Sequence, residues 1–245
     1  MPKPAHILAK PGDIAKIVVT SGDAERTEQV ARMLDDPRLV NTNRGFTTYT
    51  GRYNGVEVTV SAHGIGGPSA SVVYEELKML GAEVIVRFGT AGALVQDLGI
   101  GQFVVPVGAA YMEGSLKAYV QDGVLPPVPD FQVTGSIIKE CRAAGVKFKT
   151  GLVFSSDAFY EQDPKYLVQW TKRGIIGVEM ECATLFTLAY LRGFRAASLL
   201  LMSNSLVRKG EKALATAEKL RPYVEKGGRL LLEALTGEAV TSLVS

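Results

Sequence analysis

Short apolar segments alternate with longer amphipathic segments along most of this 245-residue chain, and this alternation restricts the fold more than any other feature. The apolar segments have the length of buried strands and are bounded by turn residues. They cover residues 17–20, 56–62, 84–88, 103–110, 149–155 and 196–203. The amphipathic segments predict helices at residues 25–34, 69–80, 131–144, 164–173, 181–192 and 211–235.

Strands that alternate with helices favour a parallel or mixed sheet covered on both faces. We therefore expect an α/β fold with three layers, α/β/α, around a central mixed sheet. A single domain spanning residues 1–245 fits this length, because one hydrophobic core can serve a chain of this size. In such sheets ligands bind at the loops after the carboxyl ends of the strands, so the functional residues are expected there.

Composition and charge exclude several classes of protein. Hydrophobic residues make up 47% of the chain and charged residues 21%, which is typical of globular proteins and not of disordered ones. With 27 basic and 25 acidic residues, the net charge of +2 provides no general attraction for nucleic acid or anionic membranes. We find no signal-peptide core and no membrane-spanning segment, so a cytoplasmic location is expected. Cys141 and Cys182 lack metal-ligand spacing and are expected to be buried thiols.

Three arginines lie where predicted strands end or turns begin. Arg26 follows the turn after the first strand, Arg44 lies in Asn43-Arg44-Gly45, and Arg87 lies inside the third apolar strand. A buried guanidinium needs an anionic partner, and its planar fork fits the oxygens of phosphate or carboxylate. Two interpretations therefore remain open for each arginine: a structural ion pair with a nearby acid, or a bound anion.

Two glycine-containing turns have the features of an anion site. Gly22-Asp23 opens the first predicted helix, where free backbone N–H groups and the helix dipole favour an anion. Residues 89–92 predict a second turn, with close backbone amides and the hydroxyl of Thr90. Because this second turn follows Arg87 directly, the two turns together favour an anion site.

The glycine-rich segment at residues 64–69 follows a predicted strand and precedes a helix, as a dinucleotide-binding loop does. Ser69 stands where that motif needs a third glycine or alanine, and no acidic residue ends a second strand about 20 residues later. Dinucleotide binding is therefore not expected. The glycines are interpreted as positions where the backbone passes close to a ligand or to another strand.

Val178-Glu179-Met180-Glu181 places two carboxylates around a methionine at the start of a predicted helix. The helix dipole alone would favour acids at this place. A carboxylate here could instead accept hydrogen bonds from vicinal sugar hydroxyls while Met180 packs on the apolar face of the sugar. The pattern leaves both interpretations open.

Taken together, these segments resemble the hexameric nucleoside phosphorylases, which include purine nucleoside phosphorylases, uridine phosphorylases and archaeal methylthioadenosine phosphorylases. The resemblance runs from His6 to the terminal helix. It rests on Gly22-Asp23 with Arg26, on Asn43-Arg44-Gly45, and on residues 63–69, 87–92, 155–160 and 178–181. It implies a nucleoside-phosphorylase-like fold and an enzyme that uses inorganic phosphate to release a base, expected to be a purine, from ribose.

The resemblance also implies a role for each motif. The residues that would hold phosphate are Gly22, Arg26, Arg87 and Thr90, with Arg44 of a neighbouring subunit. The residues that would hold ribose are Met180 and Glu181, with His6 of the neighbour. The residues that would contact the base are Phe159, Tyr160, Val178 and Asn204. Glu181, Arg87 and Asn204 would carry the catalysis. The family's hexamer, a trimer of dimers with shared sites, and its reaction without metal or cofactor are expected here too.

Base preference depends mainly on one position of the resemblance. Many purine-specific members have an aspartate after the late strand, where this chain has Asn204. An amide cannot be a general acid, but its N–H can bond to O6 or N7 of guanosine or inosine, and a flipped amide could accept from an exocyclic amine. A preference for 6-oxopurines is therefore expected. Neither Arg208 nor Arg221 aligns with the arginine that assists the acid in some purine members.

Three alternatives remain open. Uridine phosphorylases have an inserted segment that clamps uracil with a glutamine and an arginine, whereas this chain lacks the insert and offers Gln162 and Lys165 nearby. A nucleosidase would use water and would not need the three arginines. A non-catalytic nucleoside-binding protein would bind its ligand without forming ribose 1-phosphate.

Overall fold

The computed structural model of the chain describes residues 3–112, 114–121, 123–160 and 164–244. The strands in this part of the chain are β1 (Ile17–Ser21), β2 (Asp35–Asn41), β3 (Thr48–Tyr53), β4 (Val56–Ala62), β5 (Val84–Ala93), β6 (Phe103–Tyr111), β7 (Phe148–Ser155), β8 (Ile175–Glu179) and β9 (Arg195–Ser205). The helices are α1 (Ala24–Ala31), α2 (Gly67–Met79), α3 (Ser115–Val120), α4 (Phe131–Ala143), α5 (Pro164–Lys172), α6 (Cys182–Arg192), α7 (Ala217–Thr236) and α8 (Glu238–Thr241). Among these described helices, none has both the length and the apolarity needed to cross a membrane.

The strands form one mixed sheet in the order β2-β3-β4-β1-β5-β8-β7-β6-β9. Parallel pairs join β1 to β4 and β5, β5 to β9, and β7 to β6 and β8. Antiparallel pairs join β2 to β3, β3 to β4, β5 to β8, and β6 to β9. Because β5 pairs with β9 as well as with β8, strands β5, β8, β7, β6 and β9 close into a ring. The remaining four strands extend the sheet outward from β5.

Apolar side chains cover both faces of the sheet, which confirms the three-layer arrangement. On one face, Val18 and Ile85 pack with side chains of α2 and α6. On the other face, their neighbours Val19 and Val86 pack with side chains of α1, α4 and α7. Successive strand residues point to opposite faces of the sheet, so β1 and β5, which are apolar at successive positions, contribute side chains to both hydrophobic cores.

The structure differs from the prediction of a turn at residues 89–92. Strand β5 continues to Ala93, paired with β9 along this stretch and with β8 at Gly92 and Ala93. The turn prediction was wrong because these small residues allow close packing within the sheet. An added Cβ at Gly92, for example, would lie 3.0 Å from the side-chain oxygen of Asn204.

Other elements were missed or misplaced. β2 is largely exposed at the edge of the sheet and β8 is short, so neither carries the apolar pattern of a buried strand. The terminal helix begins at Ala217 and not at residue 211. The reason is that residues 211–215 bond to the end of β9: Ser205 N–H donates to Glu211 O, and Ala215 N–H donates to Ser203 O, both at 2.8 Å.

Candidate active site

A buried cluster of charged side chains lies where β1, β4 and β8 end, against the middle of β5. Arg87 on β5 is 3% exposed, and its Nη2 lies 2.5 Å from Oε2 of Glu181. Glu181 is the N-cap residue of α6, and its Oε1 accepts a hydrogen bond from the Gly66 N–H at 2.6 Å. Arg87 is therefore in an ion pair, but its partner is the carboxylate that was predicted to hold ribose.

Glu179, the last residue of β8, fixes the position of Glu181. Its Oε2 accepts hydrogen bonds from the backbone N–H of Glu181 at 2.8 Å and of Cys182 at 2.9 Å, and lies 3.4 Å from Arg87 Nε. Its Oε1 accepts from the Ser155 hydroxyl. Because one carboxylate binds both Arg87 and the first residues of α6, Glu179 holds the Arg87–Glu181 pair together. It was not among the predicted site residues, although an acid two positions from Glu181 was a visible signal.

Gly89 makes room for the Arg87 guanidinium. Residues 87 and 89 point to the same face of β5 because side chains alternate along a strand. An added Cβ at Gly89 would lie 2.5–2.6 Å from the guanidinium atoms of Arg87, closer than carbon can approach them. The Arg87 side chain therefore lies across the strand directly over Gly89, and a larger residue there would displace it.

His63, which follows β4, contacts Arg87 from another side and is fully buried. Its Nδ1 lies 2.8 Å from the Gly64 carbonyl oxygen, so Nδ1 carries the hydrogen and donates it. Its Nε2 lies 3.4 Å from Arg87 Nη1. Burial, and then the positive charge of Arg87, lower the pKa of His63 well below its ordinary value. His63 is therefore neutral, with Nε2 facing Arg87 as an acceptor. It too was missed as a site residue.

Arg26 on α1 lies beside this cluster. Its Nη1 donates to the Ser21 hydroxyl at 3.2 Å and to the Phe88 carbonyl oxygen at 3.4 Å. Its side chain is 11% exposed, and its buried Nε has no hydrogen-bond partner within the described residues. Burial lowers the pKa of Arg26 to about 10. A buried cation with an unpaired donor is suited to binding an anion.

Burial also acts on the central ion pair. It raises the pKa of Glu181 above its ordinary value, although Arg87 opposes the shift. Burial disfavours the charge of Arg87 as well, but Glu181 and Glu179 raise the pKa of Arg87. The arginine therefore stays charged, and the Glu181 carboxylate depends on that charge for its ionisation.

Two further predicted phosphate residues adjoin the cluster. Gly22 approaches the loop after β4 so closely that an added Cβ would lie 3.0 Å from the Gly64 carbonyl oxygen. Thr90 is half-buried on β5, next to Gly89. Gly22 therefore lies beside His63 in the cluster, whereas Thr90 lies on the adjoining part of β5, and their roles in binding phosphate stay predictions.

Val178 and Asn204 meet farther along β5. Gly92 pairs with Val178 on β8 and with Asn204 on β9, so the three residues are in register across adjacent strands. Asn204 is 7% exposed, and its Nδ2 donates to the Lys212 carbonyl oxygen at 3.0 Å. The amide keeps a second N–H and its oxygen for other partners.

Phe159 and Tyr160, the aromatic residues predicted to contact the base, are more exposed than Val178 and Asn204. Phe159 and Tyr160 are 57% and 86% exposed, and their ring centroids lie 4.9 Å apart. Within the described residues, no ring contact or hydrogen bond joins them to Val178 or Asn204. Met180 is half-buried and lines a small cavity with Ser155 and other polar residues. A base stacked on Phe159 therefore stays a prediction.

His6 and Arg44 lie together at a different place. The Asn43 side chain donates to the His6 carbonyl oxygen at 3.0 Å, and His6 Nδ1 lies 2.7 Å from Glu76 Oε1. Arg44 is exposed in a 3-10 turn with φ of 54°, and we find no ion pair for it among the described residues. In the same part of the chain, no hydrogen bond or ion pair joins either residue to Arg87 or Glu181. Their role in a neighbouring subunit's site stays a prediction.

The remaining candidates have local partners or fall outside the described residues. Arg208 pairs with Glu211 at 3.1 Å, and Arg221 pairs with Glu225 at 3.4 Å. Gln162 lies outside the described residues, and Lys165 lies on α5. The two cysteines are buried free thiols, as expected.

Comparison with known proteins supplies the family. A model described as the phosphorylase superfamily matches residues 16–236. The chain belongs to the phosphorylase superfamily. This assignment confirms the resemblance stated from the sequence motifs.

Relatives of this phosphorylase carry different substrate names. The guanosine phosphorylase of Halorubrum lacusprofundi is 34% identical over 240 residues, covering 96% of this chain and 99% of that protein. The DeoD-type purine nucleoside phosphorylase of Proteus mirabilis is 34% identical over 232 residues, covering 94% and 96%. The uridine phosphorylase of Thermococcus kodakarensis is 33% identical over 240 residues, covering 90% and 86%. Family membership alone therefore leaves the base undecided.

A solved structure has the same fold. The crystal structure of uridine phosphorylase from Vibrio fischeri ES114 matches this phosphorylase with a TM-score of 0.85 and 29% identity, covering 96% of this chain and 98% of that one. The expected nucleoside-phosphorylase-like α/β fold is therefore confirmed.

Proposed function

We propose that this nucleoside phosphorylase acts on purine ribonucleosides, releasing the free base and forming ribose 1-phosphate. The observation that carries the proposal is the buried cluster in which Arg87 contacts Glu181 while Arg26 lies beside them with an unpaired donor. Such a cluster can hold an inorganic anion and a sugar next to each other. Relatives named guanosine phosphorylase and purine nucleoside phosphorylase support the choice of base.

Phosphate would bind between Arg26 and Arg87, with Gly22 and Thr90 completing the site. Within one subunit the charges of Arg26 and Arg87 are already offset by Glu179 and Glu181, and Asp23 lies 3.8 Å from Arg26 Nη2 as a third acid. A phosphate dianion therefore needs a further cation, because an excess negative charge in a buried site is costly.

Arg44 of a second subunit would supply that cation. It is exposed, and no ion pair holds it within the described residues. We therefore propose a homo-oligomer, a hexamer built as a trimer of dimers, in which His6 and Arg44 complete a neighbour's site. A chain held in the monomeric state would then be inactive.

Glu181 would accept hydrogen bonds from the ribose hydroxyls, with Met180 against the sugar and His6 of the neighbour at its far end. Breaking the glycosidic bond develops positive charge on the ribose and negative charge on the base. The Glu181 carboxylate and the phosphate would stabilise the first of these charges, and both act most strongly in the transition state. The arginines supply the positive charge that phosphate needs, so we propose a reaction without metal or cofactor, with phosphate as co-substrate.

The base would lie between Val178 and Phe159, with Tyr160 at the rim and Asn204 at its edge. The free N–H of Asn204 can bond to O6 or N7 of a 6-oxopurine, which favours guanosine and inosine. Asn204→Asp removes this donor and its bond to the Lys212 carbonyl, and offers an acceptor in its place. We expect the ratio of adenosine to guanosine turnover to rise in this variant. An unchanged ratio would remove Asn204 from base recognition.

Uridine is the second candidate, supported by relatives and a solved structure that are named uridine phosphorylase. The proposal is tested with uridine, inosine, guanosine, adenosine and methylthioadenosine, each with and without phosphate. Phosphate-dependent release of purines supports it, and preferential release of uracil overturns the base assignment. Base release without phosphate would indicate a nucleosidase, and binding without release would indicate a non-catalytic protein.

Arg87→Ala tests the phosphate assignment in the same assay. We expect phosphate use to fall far more than folding stability, and near-normal phosphorolysis would remove Arg87 from the site.

The buried free thiols Cys141 and Cys182 fit a reducing compartment, which supports a cytoplasmic location.

A further inference from the structure

We propose that His63 is a positioning residue for phosphate binding: its neutral Nε2 accepts from Arg87 Nη1 and directs the remaining guanidinium donors toward the substrate anion. This inference rests on the proposed role of Arg87 in phosphate binding. It adds a residue whose effect passes through Arg87 and not through direct contact with substrate.

The geometry of Arg87 carries the first step. A guanidinium has five N–H groups, one on Nε and two on each terminal nitrogen. In this structure Nε faces Glu179 at 3.4 Å, Nη1 faces His63 at 3.4 Å, and Nη2 faces Glu181 at 2.5 Å. Each nitrogen thus has one partner, which leaves one N–H on each terminal nitrogen for a ligand. Turning the planar group would break all three contacts, so its direction is set by these partners.

His63 is itself held firmly enough to act as a reference point. Besides the Nδ1 bond to Gly64, its backbone N–H donates to the Ser21 carbonyl oxygen at 2.8 Å. Its own carbonyl oxygen accepts from the Ser69 hydroxyl at 2.8 Å, and the Tyr74 ring packs on the imidazole with centroids 5.5 Å apart. His63 therefore links the end of β1, which precedes Gly22, to the loop that binds Glu181.

A neutral acceptor suits this position better than a charged one. A carboxylate would add a third acid beside Arg87 and repel phosphate, whereas a lysine or arginine would repel Arg87 itself. The charged groups that face the imidazole are Arg87 and Arg26, and its burial further disfavours protonation. His63 can therefore orient Arg87 while leaving its positive charge available to the anion.

Two variants separate the contributions of the two imidazole nitrogens. His63→Asn places an amide N–H near Nδ1 and keeps the bond to Gly64, but it removes the acceptor for Arg87. His63→Gln places its amide oxygen near Nε2 and keeps that acceptor. We expect His63→Asn to raise KM for phosphate about tenfold while KM for the nucleoside changes less than about twofold, as for a lost hydrogen bond to a charged group. We expect His63→Gln to bring KM for phosphate back to within about threefold of the wild-type value.

A double-mutant cycle with Arg87→Ala distinguishes this inference from the proposed function. In the Arg87→Ala background, His63→Asn should cause no further loss in kcat/KM for phosphate, because its effect passes through Arg87. If Arg87→Ala leaves KM for phosphate unchanged, the proposed phosphate site is wrong. If Arg87→Ala raises that KM but His63→Asn does not, or if the two effects add fully, the inference about His63 alone is overturned.

A measurement on the unmodified protein covers the case in which His63→Asn fails to fold. The chain has two histidines, so ¹⁵N-imidazole spectra contain two residues, and a His6→Ala variant assigns them. We expect His63 to be neutral and protonated on Nδ1 at neutral pH, and its Nε2 resonance to move when inorganic phosphate is added. A protonated imidazolium, or an Nε2 resonance that phosphate leaves in place, would overturn the proposal.

Discussion

Replacing Glu181 with Gln removes one negative charge from the buried pair with Arg87 while keeping nearly the same shape. The Gln oxygen can still accept from the Gly66 N–H, which lies 2.6 Å from Glu181 Oε1, but the amide NH2 then faces Arg87 Nη2, so the contact with Arg87 is lost. Arg87 keeps Glu179 as an anionic partner at 3.4 Å, so the guanidinium is not left without compensation. We therefore expect the variant to fold and to have two opposite effects on the reaction.

Phosphate should bind more tightly to this variant. In the wild-type protein the Glu181 carboxylate lies against Nη2 of Arg87 and repels any second anion that Arg87 binds. Two unit charges about 6 Å apart interact by about 3 kcal/mol at an effective dielectric constant of about 20. Screening by water and relaxation reduce this, so we expect about 1.4 kcal/mol, or about a tenfold decrease in the phosphate Kd.

Turnover should fall in the same variant. A hydrogen bond to a carboxylate is stronger than one to an amide by about 1 kcal/mol, and Glu181 is proposed to bind both ribose hydroxyls. The lost attraction for the developing positive charge on ribose adds to this. The total of about 2.7 kcal/mol corresponds to about a hundredfold decrease in kcat.

The assay combines calorimetric titration of phosphate with steady-state kinetics at saturating nucleoside. Glu83→Gln is the control, because it removes an acid from an exposed pair with Lys16 and should leave both quantities unchanged. If Glu181→Gln weakens phosphate binding and lowers turnover together, Glu181 merely supports Arg87 structurally. Unchanged turnover would remove Glu181 from the chemistry altogether.

The remaining predictions concern residues that hold the site in place. Gly89→Ala should weaken phosphate binding at least tenfold because its Cβ would collide with Arg87. Gly177→Ala is the control and should leave the phosphate Kd unchanged, because its Cβ would meet nothing within 3.4 Å. Equal effects of the two substitutions on the phosphate Kd would contradict this. Glu76 accepts from the backbone N–H of residues 5–7, so Glu76→Gln should speed hydrogen exchange at those amides; unchanged rates would exclude it as their anchor. Burial opposes the charge of Glu76, but these donors lower its pKa. Its stabilising contribution is therefore complete above the usual value of 4.5 and is lost as pH falls through the lower folded-state pKa. Protection of the amides of residues 5–7, taken relative to the intrinsic exchange rate at each pH, should fall in that window.

Most of the fold could be predicted from hydrophobic periodicity. Buried strands such as β1 and β4 and the helix α4 match their predicted positions within one residue. β2 could not be predicted, because its residues are mostly exposed and it exists only through pairing with β3. The prediction of a turn at residues 89–92 was wrong for a different reason: glycine is typical both of turns and of places where two strands approach closely.

The site residues were predicted unevenly because single residues and their partners leave different signals. An arginine inside an apolar strand is conspicuous, so Arg87 could be identified from the sequence. His63 could not be given a role, because its function depends on a contact with Arg87 across distant parts of the chain, and the position of Glu179 beside Glu181 did not reveal its contact with Arg87. Whether Arg87 has a structural ion pair or a ligand was also undecidable from the sequence. The structure shows a pair with Glu181 that leaves guanidinium donors over, so the two interpretations are compatible.

Strand β5 determines the relative positions of these groups. At its middle, Arg87 pairs with Thr20 of β1, just before the segment that carries Gly22. Near its end, Gly92 aligns Val178 of β8 with Asn204 of β9, and β8 ends at Glu179, two residues before Glu181. The distance between the proposed phosphate and base sites is therefore fixed by the rise of one extended strand, about 3.3 Å per residue. A shift of β5 by one residue would turn Arg87 to the opposite face, so the closed ring of strands that prevents such a shift is also what keeps the site assembled.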